Sequence, residues 1–331
     1  MSVSRRQGIT DDPHAGFGRP PKRTRPRTKE RPNYANALTG LVVTVDRGRY
    51  RCLITDSEVS VSATKARNLG RTGVIVGDRV SLVGDCSGDE GTLARIVEVA
   101  ERRTVLRRTA DDNDPYERPI VANADQLAVV TALADPPPRP GMIDRILVAA
   151  YDSGLEPLLI FTKADLADPD ELTAIYTPLG LRILTLSPQS DLAELRAILA
   201  GRVSVLVGHS GVGKSTLVNV LIPGTDRATG EVNEVTGRGR HTSTSAVALA
   251  LPDPGGWVID TPGIRSFGLS HVTIDSIIAA FPDLDEITAD CPRGCTHKTG
   301  AIECALDVAV ADGRLAANRL ESFRRMENAW Q

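Results

Sequence analysis

The sequence predicts a multidomain protein in which a central α/β domain lies between a small β-barrel and a helical C-terminal part. After about residue 104, short apolar runs alternate with helical patterns, which is typical of a largely parallel sheet covered by helices. Before that point the apolar runs follow one another without helices, and after about residue 271 helical patterns surround a Cys/His cluster. We therefore predict four parts: an arm over 1–35, a barrel over 36–103, an α/β domain over 104–270 and a helical domain over 271–331.

The predicted elements of the α/β domain follow from the length and composition of the apolar runs. Strands are predicted at 126–130, 158–161, 181–184, 203–207, 246–251 and 257–259, and helices near 141–151, 191–200 and 215–221.

The predicted barrel rests on five β-type runs, at 41–45, 50–54, 74–76, 80–83 and 93–99, separated by turns such as Gly48 and Gly77-Asp78. Several short strands in about 60 residues favour an OB-like barrel, a fold that often binds RNA. Only Tyr34 and Tyr50 are available for base stacking, so RNA contacts would depend on basic residues, namely Arg47, Arg49, Arg51, Lys65, Arg67 and Arg71. A purely structural barrel remains the alternative.

Charge is distributed unevenly along the chain. The first 32 residues carry nine Arg or Lys and three Asp or Glu, a local charge of +6 within a total of −3. They contain almost no apolar side chains, so we expect a disordered basic arm, with or without a nucleic-acid partner. No apolar run is long enough to cross a membrane, and we expect a cytosolic monomer without membrane association.

A phosphate-binding loop is predicted directly after the strand at 203–207. The run fits G-x-x-x-x-G-K-[ST] and leads into a helical pattern; it comprises Gly208, His209, Ser210, Gly211, Val212, Gly213, Lys214, Ser215 and Thr216. Backbone N–H groups of such a loop face phosphate oxygens, and the following helix contributes its positive end. We expect Lys214 to reach the β and γ phosphates and Ser215 to bind Mg²⁺. His209 is expected to be a packing residue of the loop.

Two further segments are predicted to face the γ-phosphate. Asp260-Thr261-Pro262-Gly263 follows the strand at 257–259, which places Asp260 where a Mg²⁺-binding carboxylate is expected and Gly263 where its N–H can contact phosphate. The polar loop 237–244 contains His241 and two hydroxyls, Thr242 and Ser243, either of which can bind Mg²⁺. Spacing does not decide between those two.

A base-reading element is predicted at Thr162-Lys163-Ala164-Asp165, after the strand at 158–161. GTPases with Asn-Lys-x-Asp at this place use the Asp to accept hydrogen bonds from guanine and the Lys stem to cover the purine. Asp165 and Lys163 match, whereas Thr162 replaces an Asn that braces the loop, so weaker guanine selectivity is expected. Ser187 is a further expected contact to the base.

The order of these motifs predicts a circularly permuted GTPase domain. The base-reading element at 162–165 precedes the phosphate loop at 208–215, whereas the usual order places it last. Permutation keeps the strands in place and changes only their connections.

Three cysteines and a histidine form the predicted metal site. Cys291, Cys295, His297 and Cys304 supply three thiolates and one imidazole, the closed set of ligands typical of one structural Zn²⁺. The remaining thiols, Cys52 and Cys86, are expected to be buried. Unliganded cysteines are the alternative.

With these motifs in this order, the sequence resembles the RsgA (YjeQ) family of circularly permuted GTPases over about residues 36–331. The resemblance rests on the phosphate loop, Asp260 to Gly263, the Gly239 to Thr242 segment and the Cys/His cluster. It implies an OB domain, a GTPase domain that binds GTP or GDP with Mg²⁺, and a zinc domain. It also implies a role in late maturation of the small (30S) ribosomal subunit, through contacts with 16S rRNA and proteins, and stimulation of hydrolysis by that subunit.

One departure bears on catalysis. Ile264 follows Gly263 where Ras-type GTPases carry a Gln that orients the attacking water, so we expect His241 to orient that water instead. His241 as an ordinary polar loop residue is the alternative. Two other functions remain open: an RNA-binding assembly factor that uses GTP only as an occupancy switch, and a P-loop ATPase or kinase, against which Asp165 argues.

Overall fold

Five antiparallel and parallel strand pairings close the N-terminal barrel. The structure is a computed structural model, and it describes residues 34–70, 73–109, 117–224, 246–261, 267, 269 and 271–329. Its first strands are β1 Leu38–Asp46, β2 Arg49–Ile54, β3 Ser60–Lys65, β4 Arg79–Gly84 and β5 Ala94–Val99. They are ordered β1-β2-β3-β5-β4, and β4 pairs again with β1, which confirms the predicted OB-like barrel.

Two details of the barrel differ from the prediction. The strand β3 was not predicted, because its run contains Ser, Thr and Lys and lacks a strong apolar pattern. The run Val74–Val76 forms no barrel strand; Val76 instead bridges to Val121 of the α/β part. The turn at Gly77 is held against Ala122, whose carbonyl oxygen leaves no room for a side chain at Gly77. The run Val74–Val76, predicted as a strand, therefore contacts the α/β part instead.

A buried ion pair fixes the connection between the barrel and the α/β part. Arg102 donates through Nε to Asp78 Oδ1 at 2.7 Å and through Nη2 to Asp78 Oδ2 at 2.9 Å, and Asp78 is fully buried. Removing one partner of such a pair costs about 3–5 kcal/mol, because the other charge stays buried. The exposed pair Arg103–Asp125 is worth about 1 kcal/mol or less. Arg102 is therefore the stronger constraint on this connection.

The α/β part contains a hairpin and six strands that continue the sheet of the barrel. The hairpin joins β6 Val105–Arg108 to β7 Arg118–Ala122, and neither strand was predicted. The sheet strands are β8 Gln126–Ala132, β9 Glu156–Thr162, β10 Arg182–Thr185, β11 Val203–Val207, β12 Val247–Ala250 and β13 Trp257–Asp260. Their order is β10-β9-β8-β11-β13-β12, parallel except for β12, which confirms the predicted largely parallel sheet.

Helices cover both faces of this sheet. The helices of the α/β part are α1 Pro140–Asp152, α2 Asp170–Tyr176, α3 Ala193–Leu199 and α4 Lys214–Leu221. Buried residues of β8 alternate between the faces: Leu127 and Val129 pack in the cluster that contains α1, and Ala128 and Val130 in the cluster that contains α3 and α4. This alternation explains why the run reads as continuously apolar, since both faces of a parallel strand are buried.

The C-terminal part consists of short helices around the Cys/His segment. They are α5 Ile274–Ile278, α6 Pro282–Thr288, α7 Ala305–Ala311 and α8 Ala317–Asn328. Phe281 and Phe323 pack edge to face at 5.6 Å and belong to the same core as α1. Arg325 on α8 bonds buried Asp144 on α1 at 3.1 Å. Burial raises the pKa of Asp144 and the guanidinium of Arg325 opposes this shift. The C-terminal helices therefore share the core of the α/β part.

Among the helices of the described ranges, none combines the length and the apolar character that crossing a membrane requires. The predicted basic arm, apart from residues 34 and 35, lies outside those ranges.

Candidate nucleotide site and metal cluster

The predicted nucleotide-binding residues follow the carboxyl ends of parallel strands. Thr162 ends β9, Gly208 follows β11, Asp260 ends β13, and Ser187 comes two residues after β10. Because β9, β8, β11 and β13 are parallel neighbours, these ends meet at one edge of the sheet. Ligands of open α/β sheets bind at this edge. The permuted order of the motifs therefore does not separate them in space.

The phosphate loop has the backbone that its glycines predict. Gly208 lies against the Val130 carbonyl oxygen of β8, which leaves no space for a Cβ atom. Gly211 and Gly213 have φ of +81° and +91°, in the left-handed region that favours glycine. α4 begins directly afterwards at Lys214. The loop thus joins a strand end to a helix N-terminus, the arrangement that binds phosphate groups.

Lys214 carries a largely desolvated ammonium group inside this loop. Its Nζ donates to the carbonyl oxygens of Gly208 and His209. Burial lowers the pKa of Lys214, and the nearby carboxylate of Asp260 raises it. A buried cation gains most from an anionic partner. The donor set of this loop therefore fits the phosphate groups of a nucleotide.

Asp260 and Thr261 lie at the end of β13, beside the phosphate loop. Asp260 is 4% exposed, and the Thr261 hydroxyl donates to Leu206 O of β11 at 2.8 Å. β13 is the parallel neighbour of β11, with Asp260 paired to Leu206. A carboxylate is thus held near Lys214 at the position expected of a Mg²⁺-binding residue.

The base-reading loop at 163–165 is held on two sides by hydrogen bonds to backbone carbonyl oxygens. Lys163 has φ of +59°, and its Nζ donates to the Asp135 carbonyl oxygen. Ala164 N donates to Leu186 O at 3.1 Å, which connects the loop to the end of β10. Asp165 is exposed, so its carboxylate is accessible to a ligand. Ser187 lies in the adjoining turn, where its N–H donates to Ser190 Oγ at 2.8 Å.

Thr162 connects the base-reading loop with the phosphate loop. Its hydroxyl lies 2.7 Å from the Val212 carbonyl oxygen and 3.2 Å from that of Thr131. Thr162 lacks the side-chain amide of the Asn in Asn-Lys-x-Asp. The structure shows that the shorter side chain reaches the phosphate loop.

The segment between β8 and α1 also adjoins the site and was not predicted. Asp135 O accepts from Lys163, and Pro136 is within van der Waals distance of a side chain placed at Gly211. The run Pro136-Pro137-Pro138 matches no nucleotide-binding motif. The signal available in the sequence was its position after a parallel strand, where binding loops occur.

Several predicted residues fall outside the described ranges: His241, Thr242, Ser243, Gly263 and Ile264. The expected roles of these residues in binding Mg²⁺, phosphate and water remain predictions from sequence.

The four predicted metal ligands converge before α7. The Sγ atoms of Cys291, Cys295 and Cys304 and a ring nitrogen of His297 all lie within 4.8 Å of one another. Cys291 Sγ is 3.6 Å and Cys304 Sγ 3.9 Å from His297 Nδ1. Zinc bond lengths place S and N ligands of a tetrahedral ion about 3.6 Å apart. The cluster therefore fits one structural Zn²⁺, with no ligand position open for catalysis.

Burial and local hydrogen bonds both act on the residues of the cluster. Burial raises the pKa of Cys304 to about 11. Without a metal this thiol would stay protonated, so metal binding would release its proton. Ala305 N donates to Cys291 Sγ at 3.3 Å, and Arg324 donates through Nε to the His297 carbonyl oxygen at 2.9 Å. Backbone and side-chain contacts therefore hold the loop that carries the ligands.

The barrel shows which of its predicted contacts are accessible. Tyr50 is 9% exposed and packs in the barrel core, so the expectation that it is available for base stacking is wrong. Arg49 and Arg51 alternate with Tyr50 on β2 and are exposed, as are Arg47 and Arg67. The Lys65 ammonium donates to Gly70 O, and Arg71 lies outside the described ranges.

The two thiols outside the Cys/His cluster differ in burial. Cys52 is buried as expected, whereas Cys86 is half-buried.

Comparison with known proteins identifies the family. Residues 99–270 match the family model described as RsgA GTPase. The chain is 41% identical over 249 residues to the small ribosomal subunit biogenesis GTPase RsgA of Pseudomonas aeruginosa, covering 72% of each chain. It is 37% identical over 295 residues to the protein of that name from Chlorobaculum parvum, covering 86% of this chain and 92% of the relative.

Solved structures agree with this assignment. The crystal structure of YjeQ from Thermotoga maritima superimposes with a TM-score of 0.66 at 27% identity, covering 88% of this chain and 97% of the other. YloQ, described as a circularly permuted GTPase, gives a TM-score of 0.63 at 24% identity, covering 88% and 95%, and supports the fold. The permuted motif order, the sheet edge at which those motifs meet and these similarities together show that the chain belongs to the RsgA (YjeQ) family of circularly permuted GTPases.

Proposed function

We propose that this chain hydrolyses GTP and assists late maturation of the small ribosomal subunit, with hydrolysis stimulated by that subunit. The observation that carries the proposal is the convergence of Lys214, Asp260 and the Thr162–Asp165 loop at one sheet edge of a member of a GTPase family. The relatives named above are small ribosomal subunit biogenesis GTPases. The small ribosomal subunit, which appears in the name of these relatives, is the partner proposed for this chain.

The proposed roles at the nucleotide follow from the chemistry of the side chains. Lys214 would compensate charge on the β and γ phosphates, and backbone N–H groups of residues 208–216 would donate to phosphate oxygens. Ser215, Asp260 and either Thr242 or Ser243 would hold Mg²⁺, whose charge stabilises the transferring phosphoryl group. Asp165 would accept hydrogen bonds from guanine, beside Lys163 and Ser187. Gly263 would donate to the γ-phosphate.

A second function is favoured by one residue. The side chain of Ile264 has no hydrogen-bonding group with which to orient water, and this supports an RNA-binding assembly factor in which GTP acts only by occupancy. Exposed arginines of the barrel, among them Arg49 and Arg51, are compatible with either function.

Hydrolysis of GTP should depend on both the small subunit and Lys214. We expect phosphate release to be slow for the protein alone and to rise when purified small subunits are added. Lys214→Ala should lower the stimulated rate about 100-fold or more, because a charge that stabilises the transition state is lost. Phosphate release with and without subunits measures both effects.

The controls separate the two functions. Arg314→Ala removes an exposed cation between α7 and α8, outside both the phosphate loop and the Cys/His cluster, and should leave the rate unchanged. Wild-type protein that binds subunits in a GTP-dependent manner without stimulated turnover would instead support the occupancy switch.

His241 is proposed to orient the attacking water. Replacing it by Ala should lower the subunit-stimulated rate about 100-fold, as expected for a lost acid–base or water-positioning group. Affinity for GTP should stay within about twofold of wild type, since the proposed contact is with water rather than nucleotide. Stopped-flow binding and single-turnover hydrolysis measure the two quantities separately. Unchanged stimulated turnover in His241→Ala would contradict the assignment.

The Cys/His cluster is proposed to bind one structural Zn²⁺. Purified protein should contain one zinc ion per chain by atomic emission, and Cys304→Ser should lose most of it because a buried thiolate ligand is removed. Cys86→Ser is the matched control, since this thiol lies in the barrel outside the cluster and should not alter zinc content. Absence of stoichiometric zinc from wild-type protein with all four side chains intact would reject the site.

A further inference from the structure

The hydroxyl of Thr162 makes a specific contact between two loops of the nucleotide site. A threonine hydroxyl carries one proton and can therefore donate only one hydrogen bond. Of its two neighbours, Val212 O at 2.7 Å is closer than Thr131 O at 3.2 Å. A separation of 2.7 Å is the usual distance for a well-formed O–H···O bond. The proton is therefore assigned to the carbonyl of the phosphate loop.

The surroundings of Thr162 fix the direction of this hydroxyl. The residue ends β9, is 9% exposed, and its carbonyl oxygen accepts from Leu133 N at 3.0 Å. Threonine is branched at Cβ, which restricts its χ1 rotamers in a strand. Its methyl group lies 4.0 Å from the position of a Cβ atom built on Gly213, so it faces the phosphate loop as well. Little rotation is left to the side chain.

The partner of the hydroxyl is equally well held. Val212 is 3% exposed, and its side chain packs in the core cluster that contains Ala128 and Val130 of β8. Its carbonyl belongs to the turn between Gly211 and Gly213, two residues before Lys214. On the other side, Lys163 directly follows Thr162, and Asp165 lies three residues after it. One hydrogen bond thus joins the residues proposed to bind phosphate and those proposed to read the base.

We propose that Thr162 is a positioning residue that fixes the spacing between the phosphate loop and the guanine-reading loop. The inference rests on the proposed function, because it assumes a guanine nucleotide that spans both loops. A ligand that contacts both loops gains affinity when the loops are already held at the spacing of the bound state. A ligand that contacts only one loop does not. Thr162 therefore supports guanine selectivity without contacting the base.

The test compares ligands that span both loops with a ligand that occupies one. Thr162→Val keeps the size and branching of the side chain but removes the donor. Its affinity for GDP should fall about tenfold, because the Val212 carbonyl loses its partner. The ratio of GDP to ADP affinity should fall with it, while affinity for inorganic tripolyphosphate should stay within about twofold. Isothermal titration of the full-length protein with the three ligands measures these changes.

Two variants control for damage to the fold. Thr162→Ser retains the hydroxyl and should restore most of the GDP affinity and of the GDP/ADP ratio. Thr177→Val removes another hydroxyl that donates to a backbone carbonyl, that of Thr173 at 2.8 Å, at an exposed position outside the site. It should behave as wild type.

The outcomes distinguish this inference from the function on which it rests. A GDP/ADP ratio in Thr162→Val equal to that of a GDP-selective wild type would overturn the positioning role and leave the proposed function intact. Equal losses for GDP and tripolyphosphate would also overturn it, because they indicate a distorted phosphate loop. A wild-type protein without preference for GDP over ADP would overturn the inference and the guanine assignment together.

Discussion

The parallel pairing of β8, β9, β11 and β13 is the constraint on which the candidate site depends. Each of these strands is buried on both faces, so its backbone groups must be satisfied by neighbouring strands, and the register is fixed. Their carboxyl ends consequently meet at one edge. Two loops and a carboxylate that are distant in the chain then lie at the same edge: the base-reading loop after β9, the phosphate loop after β11 and Asp260 at the end of β13.

This constraint explains why the permuted order of the motifs is compatible with a working site. Permutation changes which strand comes first along the chain, but the hydrogen-bonded neighbours of β11 remain β8 and β13. A permuted domain needs different points of attachment for the parts of the chain that flank it, here the barrel and the C-terminal helices. Here the barrel is attached through the bridge between Val76 and Val121 and the pair Thr44–Val247 between β1 and β12, and the C-terminal helices pack on α1.

Sequence alone was sufficient for features encoded by local chemistry. The phosphate loop requires glycine where φ is positive and where the backbone approaches β8, so Gly208, Gly211 and Gly213 identify it directly. The metal cluster was predictable because thiols and imidazole so closely spaced in a chain have few other uses. The long apolar strands were also predicted, since burial on both faces gives a continuous apolar run.

Features that depend on packing between distant segments could not be read from the sequence. The strand β3 is polar, and its place is set by pairing with β2 and β5. The run Val74–Val76 resembles a strand, yet its valines serve the contact with β7. Tyr50 looked available for stacking because alternation does not reveal which face of a barrel strand is buried. The contact of Thr162 with Val212 joins residues 50 positions apart, and no local sequence pattern indicates it.

Selectivity of this sheet edge for guanine nucleotides is tested most directly by competition for the site. Wild-type protein would be loaded with a fluorescent GDP analogue in the presence of Mg²⁺, and unlabelled GTP or ATP would be added in increasing amounts. We predict displacement by GTP at concentrations at least about 100-fold below those required of ATP, because adenine cannot offer Asp165 the hydrogen bonds that guanine offers. Equal displacement by GTP and ATP would contradict the account.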